Sequence, residues 1–190
     1  MSKAAFLDRD GTINRKPPEG QYVTCREEMH LLPDAARAIA LLNRAGFRVI
    51  VVSNQRCVAK GLVTEIALEA IHQRMCEELN SKGARVDEIY YCPHEKHPPC
   101  TCRKPAPGLL LAAARAHDID LTGSWMIGDS DVDVQAGINA GCKTARILNN
   151  HDSAAIDSDL NGATLLEAVE KILNWSRTPG AAALEQLSLP

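Results

Sequence analysis

The chain of 190 residues has no apolar stretch near the roughly 20 residues that a membrane-spanning helix needs. It also has no run of basic residues. Its formal net charge is −3 and its pI about 6.1, which argues against broad binding to nucleic acid or to a membrane surface. Internal repeats are absent, and the first residues lack the positive-then-apolar layout of a signal peptide, so a cytoplasmic protein is expected. The cysteine count, seven, is odd. A secreted disulfide scaffold would be shorter and even-numbered, so clustered thiols in this chain point to metal instead. Hydrophobic content of 45% and charged content of 24% are ordinary for a globular protein, and the length fits one domain.

Apolar runs alternate with helical patterns. Strands are expected at 3–8, 47–52, 86–91, 125–127 and 143–148. Pro33 opens a helix that Gly46 stops, with Ala36, Ile39, Ala40 and Leu42 on its apolar face. Thr64 is the N-cap of a helix reaching about Ser81. Further helices run from Pro107 to about His117, from Val132 to Ala140 and from Leu165 to Trp175. Such alternation implies a doubly wound, Rossmann-like α/β fold with parallel strands. Residues 1–175 read as a single domain and 176–190 as a loosely held tail.

Ligands in open α/β sheets bind beyond the carboxyl ends of the strands. The chemistry-bearing residues of this chain fall there. The first strand ends in Asp8-Arg9-Asp10-Gly11-Thr12, the second in Ser53-Asn54-Gln55, and the fourth in Gly128-Asp129-Ser130-Asp131-Val132-Asp133. Cys102-Arg103-Lys104-Pro105 lies between the third and fourth strands. On an extended backbone, Asp8 and Asp10 point the same way and raise one another's pKa. A bound cation relieves that repulsion, as does keeping one carboxyl protonated as a general acid. Asp133, one helical turn after Asp129, is either an outer metal contact or an acid favoured by a helix N-terminus; Asp131 is read as the latter.

A second cluster is Cys92-Pro93-His94 followed by Cys100-Thr101-Cys102. Three thiols and an imidazole make a Cys₃His set, suited to a closed, tetrahedral structural Zn²⁺ site. Its loop carries Pro98 and Pro99 and few core formers, so bound metal would fold it and fix the stalk of Arg103 and Lys104. His97 is the poorer alternative to His94.

With the four strand-end segments in order, the chain resembles the haloacid-dehalogenase (HAD) superfamily of phosphohydrolases over roughly residues 1–150. The resemblance implies a HAD-like fold and a phosphoric monoester hydrolase. In that reading Asp8 is the nucleophile forming an aspartyl-phosphate, Asp10 the general acid and base, and Ser53 and Lys104 the phosphoryl-binding groups. Mg²⁺ would be held by Asp8, by Asp10 through its backbone carbonyl, and by Asp129.

The Cys-x-His…Cys-x-Cys loop followed by Arg-Lys-Pro resembles capless phosphatases of two kinds, those acting on heptose 1,7-bisphosphate in bacterial heptose biosynthesis and those acting on histidinol phosphate. The stretch from Ser53 to Gly61 leans to the former, although Arg56-Cys57 stands where that pattern has Ser-Gly and the loop from Arg15 to Tyr22 is long for it. Candidate substrate residues are Asn54, Gln55, Arg56, Arg103, Ser130, Glu19 and Tyr22. Arg103 would hold the distal phosphate, with Lys60 and Arg15 assisting. The expected partner is a small sugar bisphosphate, with neither nucleic acid nor membrane, acting on a monomer. A catalytically silent domain that binds a phospho-ligand is the alternative from another class.

Overall fold

Alternation along two short strands builds the molecule, which was analysed as a computed structural model describing residues 1–148 and 155–175. In β1 (Ala4–Leu7) and β2 (Arg48–Asn54), Ala5, Leu7, Val49 and Val51 enter one core; Ala4, Phe6, Ile50 and Val52 enter another across the sheet. A strand apolar on both faces has to be covered on both. Helices α1 (Ala35–Arg44), α2 (Glu65–Ser81) and α5 (Leu165–Trp175) cover the first face, and α3 (Gly108–His117) and α4 (Asp131–Ala140) the second. Each fully buried Leu, Ile or Val contributes about 1.5–3 kcal/mol.

With β3 (Glu88–Cys92), β4 (Trp125–Gly128), β5 (Lys143–Ile147) and β6 (Leu160–Gly162), the sheet has the order β3-β2-β1-β4-β5-β6, all parallel. The order reverses at β1, so the carboxyl ends of β1, β2 and β4 lie side by side at the point where such folds bind ligands.

The expected elements occur at nearly the expected places. Thr64 caps α2, its side chain accepting from the Ala67 N–H, and Gly141 closes α4 in the left-handed region. Two differences have physical reasons. α1 begins at Ala35, not Pro33, because Asp34 sits at φ 60 and interrupts the helical path. The sixth strand was not foreseen, since Leu-Asn-Gly has no apolar run. It forms by pairing with β5 beside Asp159, whose carboxylate accepts from the Thr144 N–H and hydroxyl. The tail expected over 176–190 lies outside the described residues.

Candidate active site

At the rim of the sheet, an ammonium group binds two acids together. Lys104 is buried, and its Nζ lies 2.7 Å from Asp8 Oδ1, 2.6 Å from Asp133 Oδ1 and 2.7 Å from the Val52 carbonyl, so all three of its N–H bonds have acceptors. Its backbone is fixed as well. Asn54 Nδ2 donates to the Lys104 carbonyl, and Asn54 Oδ1 accepts from the Lys104 N–H, both at 3.0 Å. Burial alone would lower the Lys104 pKa, but the charges of Asp133 and Asp8 outweigh it and raise it. For Asp8, burial wins over Lys104 and, with Asp133 and Asp10 adding to it, pushes the carboxyl up to about 7.

Asp8, Asp129 and Asp133 each place a carboxylate oxygen within 4.8 Å of the others. Three hard oxygen donors so close suit a Mg²⁺-type cation. Two glycines make room for them. A Cβ on Gly11, at φ +93, would come within 2.3 Å of Asp129 Oδ2, and one on Gly128 within 2.3 Å of Asp133 Cβ. Asp133 thus belongs with the acids of the site, and its other oxygen accepts from the Ser130 N–H and hydroxyl. Asp131, as expected, stays outside at the start of α4, where it pairs with Arg146.

The Asp10 charge raises the Asp8 pKa, as expected, but the Asp10 carboxylate has partners of its own. β1 ends at Leu7, and the chain then turns, with Ile13 and Asn14 donating to the Arg9 carbonyl. The period-two rule does not reach Asp10. Its carboxylate stays out of the metal-capable group, leaving only the backbone carbonyl for the role given to Asp10 there. The carboxylate accepts instead from Arg9, from Asn14 Nδ2 at 2.9 Å and from Gln55 Nε2 at 3.1 Å. Burial would raise its pKa, but the Arg9 charge and these hydrogen bonds lower it. The two acids therefore separate by environment, Asp8 raised and Asp10 lowered, and do not simply raise each other.

The remaining predicted residues fall into two groups. Ser53 is buried and accepts from Gln55 Nε2 at 2.7 Å, the same amide that donates to Asp10. Asn54, Gln55 and Ser130 are already engaged by protein groups, which makes them supports of Lys104, Asp10 and Asp133. Farther out, Arg56 Nε donates to the Tyr22 hydroxyl at 3.1 Å and lies 3.6 Å from Glu95, and the Lys60 ammonium stands 5.4 Å from the Tyr22 ring centre. Glu19 is exposed on the same loop. Arg103 Nη1 donates to the His94 carbonyl at 3.2 Å. A cavity of about 570 Å³ opens beside Lys104, lined in part by Asn54, Lys96, His97, Arg103 and Val132. A larger groove of about 700 Å³ is lined by none of the catalytic acids, and its Arg74 and Glu78 pair with one another.

The Cys/His loop closes on itself. The Sγ atoms of Cys92, Cys100 and Cys102 are 3.2–3.6 Å apart, and His94 Nδ1 is 3.6 Å from Cys92 Sγ and 3.2 Å from Cys102 Sγ. A tetrahedron with metal–sulfur bonds of about 2.3 Å has edges of about 3.8 Å, so the set needs little expansion to hold an ion. His97 is not in the set. Burial and the neighbouring thiols push Cys102 up to about 12. At Cys100 burial acts the same way but is outweighed by hydrogen bonds, chiefly from the Arg103 N–H, which bring it down to about 6. Such packed thiols ionise together only around a cation. β3 runs one residue further than expected, so that Cys92, fully buried and paired in register with Asn54, ties this cluster to the sheet.

Sequence reading missed three contributors. Arg9 lies inside the first motif, 1% exposed. His72 stands in the buried stripe of α2 with Leu68, Ile71, Met75 and Leu79, a polar residue at an apolar position that could have been noticed. Lys16 gave no signal; its Nζ reaches 2.6 Å from Asp129 Oδ2 out of the long loop after β1.

The comparisons agree with this geometry. A family model described as HAD-hydrolase-like matches residues 101–170. The structure of D,D-heptose 1,7-bisphosphate phosphatase from Bordetella bronchiseptica, complexed with magnesium and phosphate, is similar with a TM-score of 0.83 and 34% identity, over 90% of this chain and 98% of that one. Fold and site together define a HAD-like hydrolase. Among curated proteins, the D-glycero-β-D-manno-heptose-1,7-bisphosphate 7-phosphatase of Rhodopseudomonas palustris is 43% identical over 145 residues, 73% of this chain and 79% of the relative. The enzyme of that name from Escherichia coli K12 is 36% identical over 184 residues, covering 88% and 94%. The chain belongs to the D-glycero-D-manno-heptose-1,7-bisphosphate 7-phosphatase family.

A divalent cation held by Asp129 would compete with Lys16 for its carboxylate. Lys16→Met is therefore expected to tighten Mg²⁺ binding, measured by calorimetry, about fivefold, the scale of a half-exposed ion pair. Unchanged or weaker binding would show that Lys16 does not compete with the ion.

Proposed function

We propose that the chain removes the C7 phosphate of D-glycero-D-manno-heptose 1,7-bisphosphate through an aspartyl-phosphate, in heptose biosynthesis. The observation that carries this reading is the Asp8 carboxylate, held by Lys104 within one ion's reach of Asp129 and Asp133, in a chain of this family. Asp8 attacks phosphorus, and the phosphorus–oxygen bond to the sugar breaks as the new bond to Asp8 forms. The departing sugar oxygen takes a proton from Asp10. Water then attacks the aspartyl-phosphate, Asp10 takes its proton, and phosphate leaves with Asp8 restored. In the resting site Asp10 is held ionised, which suits the second half-reaction. An arriving phosphate dianion raises its proton affinity, which suits the first. The Ser53 hydroxyl would donate to a phosphoryl oxygen, and the Lys104 charge beside Asp8 would stabilise the negative charge of the phosphoryl group.

Asp8, Asp129 and the Asp10 backbone carbonyl would hold Mg²⁺, with Asp133 beside them. When bound, the ion neutralises charge on the transferring phosphoryl group. Cys92, His94, Cys100 and Cys102 would hold a structural Zn²⁺. The cavity beside Lys104 gives the second phosphate a place near Arg103, whose planar fork suits it. This favours a bisphosphate over histidinol phosphate. The intact pair Asp8 and Asp10 favours an enzyme over a silent binder. We further place residues 1–175 in one catalytic domain of a cytoplasmic monomer. No helix among the described residues is long and apolar enough to cross a membrane.

Asp8→Asn is expected to lower kcat on the heptose bisphosphate by at least about 1,000-fold without unfolding the protein. A folded variant keeping a tenth of the activity would exclude Asp8 as nucleophile. Metal analysis is expected to find about one zinc per chain, and Cys102→Ser to lose the zinc and several degrees of thermal stability. A zinc-free preparation that is folded and fully active would remove the metal from the loop. Arg103→Ala should lower kcat/KM on the bisphosphate roughly 10- to 100-fold, the scale of one or two charge-assisted hydrogen bonds, and much less on the 7-monophosphate. Equal losses on the two esters would end the distal-phosphate role.

A further inference from the structure

Arg9 is among the largest fully buried side chains of the described residues, and each of its three nitrogens has a protein partner. Its Nε lies 3.2 Å from both oxygens of Asp10, and its Nη2 lies 3.1 Å from Oδ1 and 2.8 Å from Oδ2. One edge of the guanidinium thus grips the whole carboxylate. The other edge points away from the acid, where Nη1 stands 3.2 Å from Nε2 of His72. A guanidinium is always charged and only donates. Nη1 therefore donates, and His72 Nε2 has to be a bare, accepting nitrogen, which makes the neutral ring the Nδ1–H tautomer. Burial and the Arg9 charge agree, lowering the His72 pKa to about 3. The ring itself is wedged on α2 against Tyr91, with centroids 5.7 Å apart.

We propose that His72 is a positioning residue for the reaction: by accepting from Arg9 Nη1, it fixes the guanidinium so that the opposite edge holds the Asp10 carboxylate in the orientation needed for proton transfer. A histidine in the apolar stripe of a helix is otherwise an expensive choice, because a buried polar nitrogen needs a partner. Leu or Met would fill the place as well, but would leave a charged N–H without an acceptor and Arg9 free to turn. The inference rests on the reading of Asp10 as acid and base and adds a residue on a distant helix to it.

The test uses the leaving group. A sugar oxygen departs poorly without a proton, whereas 4-nitrophenolate needs none, and kcat/KM reports only the steps through its departure. His72→Leu is expected to lower kcat/KM roughly 10- to 100-fold on the heptose bisphosphate and by no more than about threefold on 4-nitrophenyl phosphate. His72→Gln places an amide oxygen near the position of Nε2 and is expected to restore the sugar ester to within about threefold of the parent. Equal losses on the two substrates, or a Gln variant as impaired as the Leu variant, would overturn the proposal. If His72→Leu does not fold, ¹⁵N NMR of the parent protein decides. A bare Nε2 at neutral pH supports the role, and a proton on Nε2 rules it out. Asp10→Asn separates the two levels. If it leaves kcat/KM on the sugar ester intact, the reading of Asp10 fails; if it cripples it while His72→Leu does not, only the role of His72 fails.

Discussion

The contact between the Lys104 ammonium and the carboxylates of Asp8 and Asp133 sets the terms for the rest of the site. Three segments far apart in sequence meet in it, the ends of β1 and of the β3–α3 connection and the start of α4. Each ion alone would be prohibitive to bury, and the three are tolerable because every Lys104 proton has an acceptor. Removing the lysine would leave these buried acids with only the half-exposed Lys16 as counter-charge. The orientation of Asp8 is thus inseparable from the integrity of the fold at that rim.

The charge balance explains why such a site waits for ligands. Asp8, Asp129 and Asp133 face Lys104 and the half-exposed Lys16, three acids against two bases. A divalent cation reverses the sign of the local charge, and a phosphate dianion then restores it. The raised pKa of Asp8 is the same imbalance seen from one carboxyl, since burial there is only partly offset by Lys104. Asp10 stands apart because Arg9 is dedicated to it, so neighbouring acids of one motif serve different roles.

The sequence made local features legible. Alternating apolar runs revealed five of the six strands, and the motif residues at the strand ends converge because parallel strands share a direction. Asp8, Asp129 and Lys104 could be assembled from that rule alone. Leu160–Gly162 escaped because it is a strand by pairing and not by pattern. The partners of Asp10 escaped because it lies past Leu7 in a turn, beyond the reach of the strand period. Lys16 was not legible, for its partner lies 113 residues away; His72 left a trace as a polar residue in an apolar stripe, but its partner Arg9, 63 residues away, did not show in the spacing. Asn54 and Gln55 were found, but their bonds to Lys104 and Asp10 were not, since a sequence does not show which amides are bonded within the protein.

The Cys/His cluster belongs to the same argument about Lys104. The connection from β3 to α3 has to carry a lysine into the catalytic rim without a core of its own, and the residues between Cys92 and Cys102 offer proline and charge where apolar packing would be needed. Cys92 is the last residue of β3 and wholly buried, whereas Cys102 stands two residues before Lys104. An ion bridging them would replace a missing hydrophobic core with a few short bonds between the sheet and the stalk of the lysine. Asn54 adds a second tether, gripping the Lys104 backbone from the neighbouring strand. Between these two anchors the lysine has little freedom except along its own side chain, and the Val52 carbonyl fixes that as well. Precision at Lys104 therefore comes from amide hydrogen bonds, to which metal coordination at the Cys/His set would add, at the place where the chain is least able to obtain it from packing.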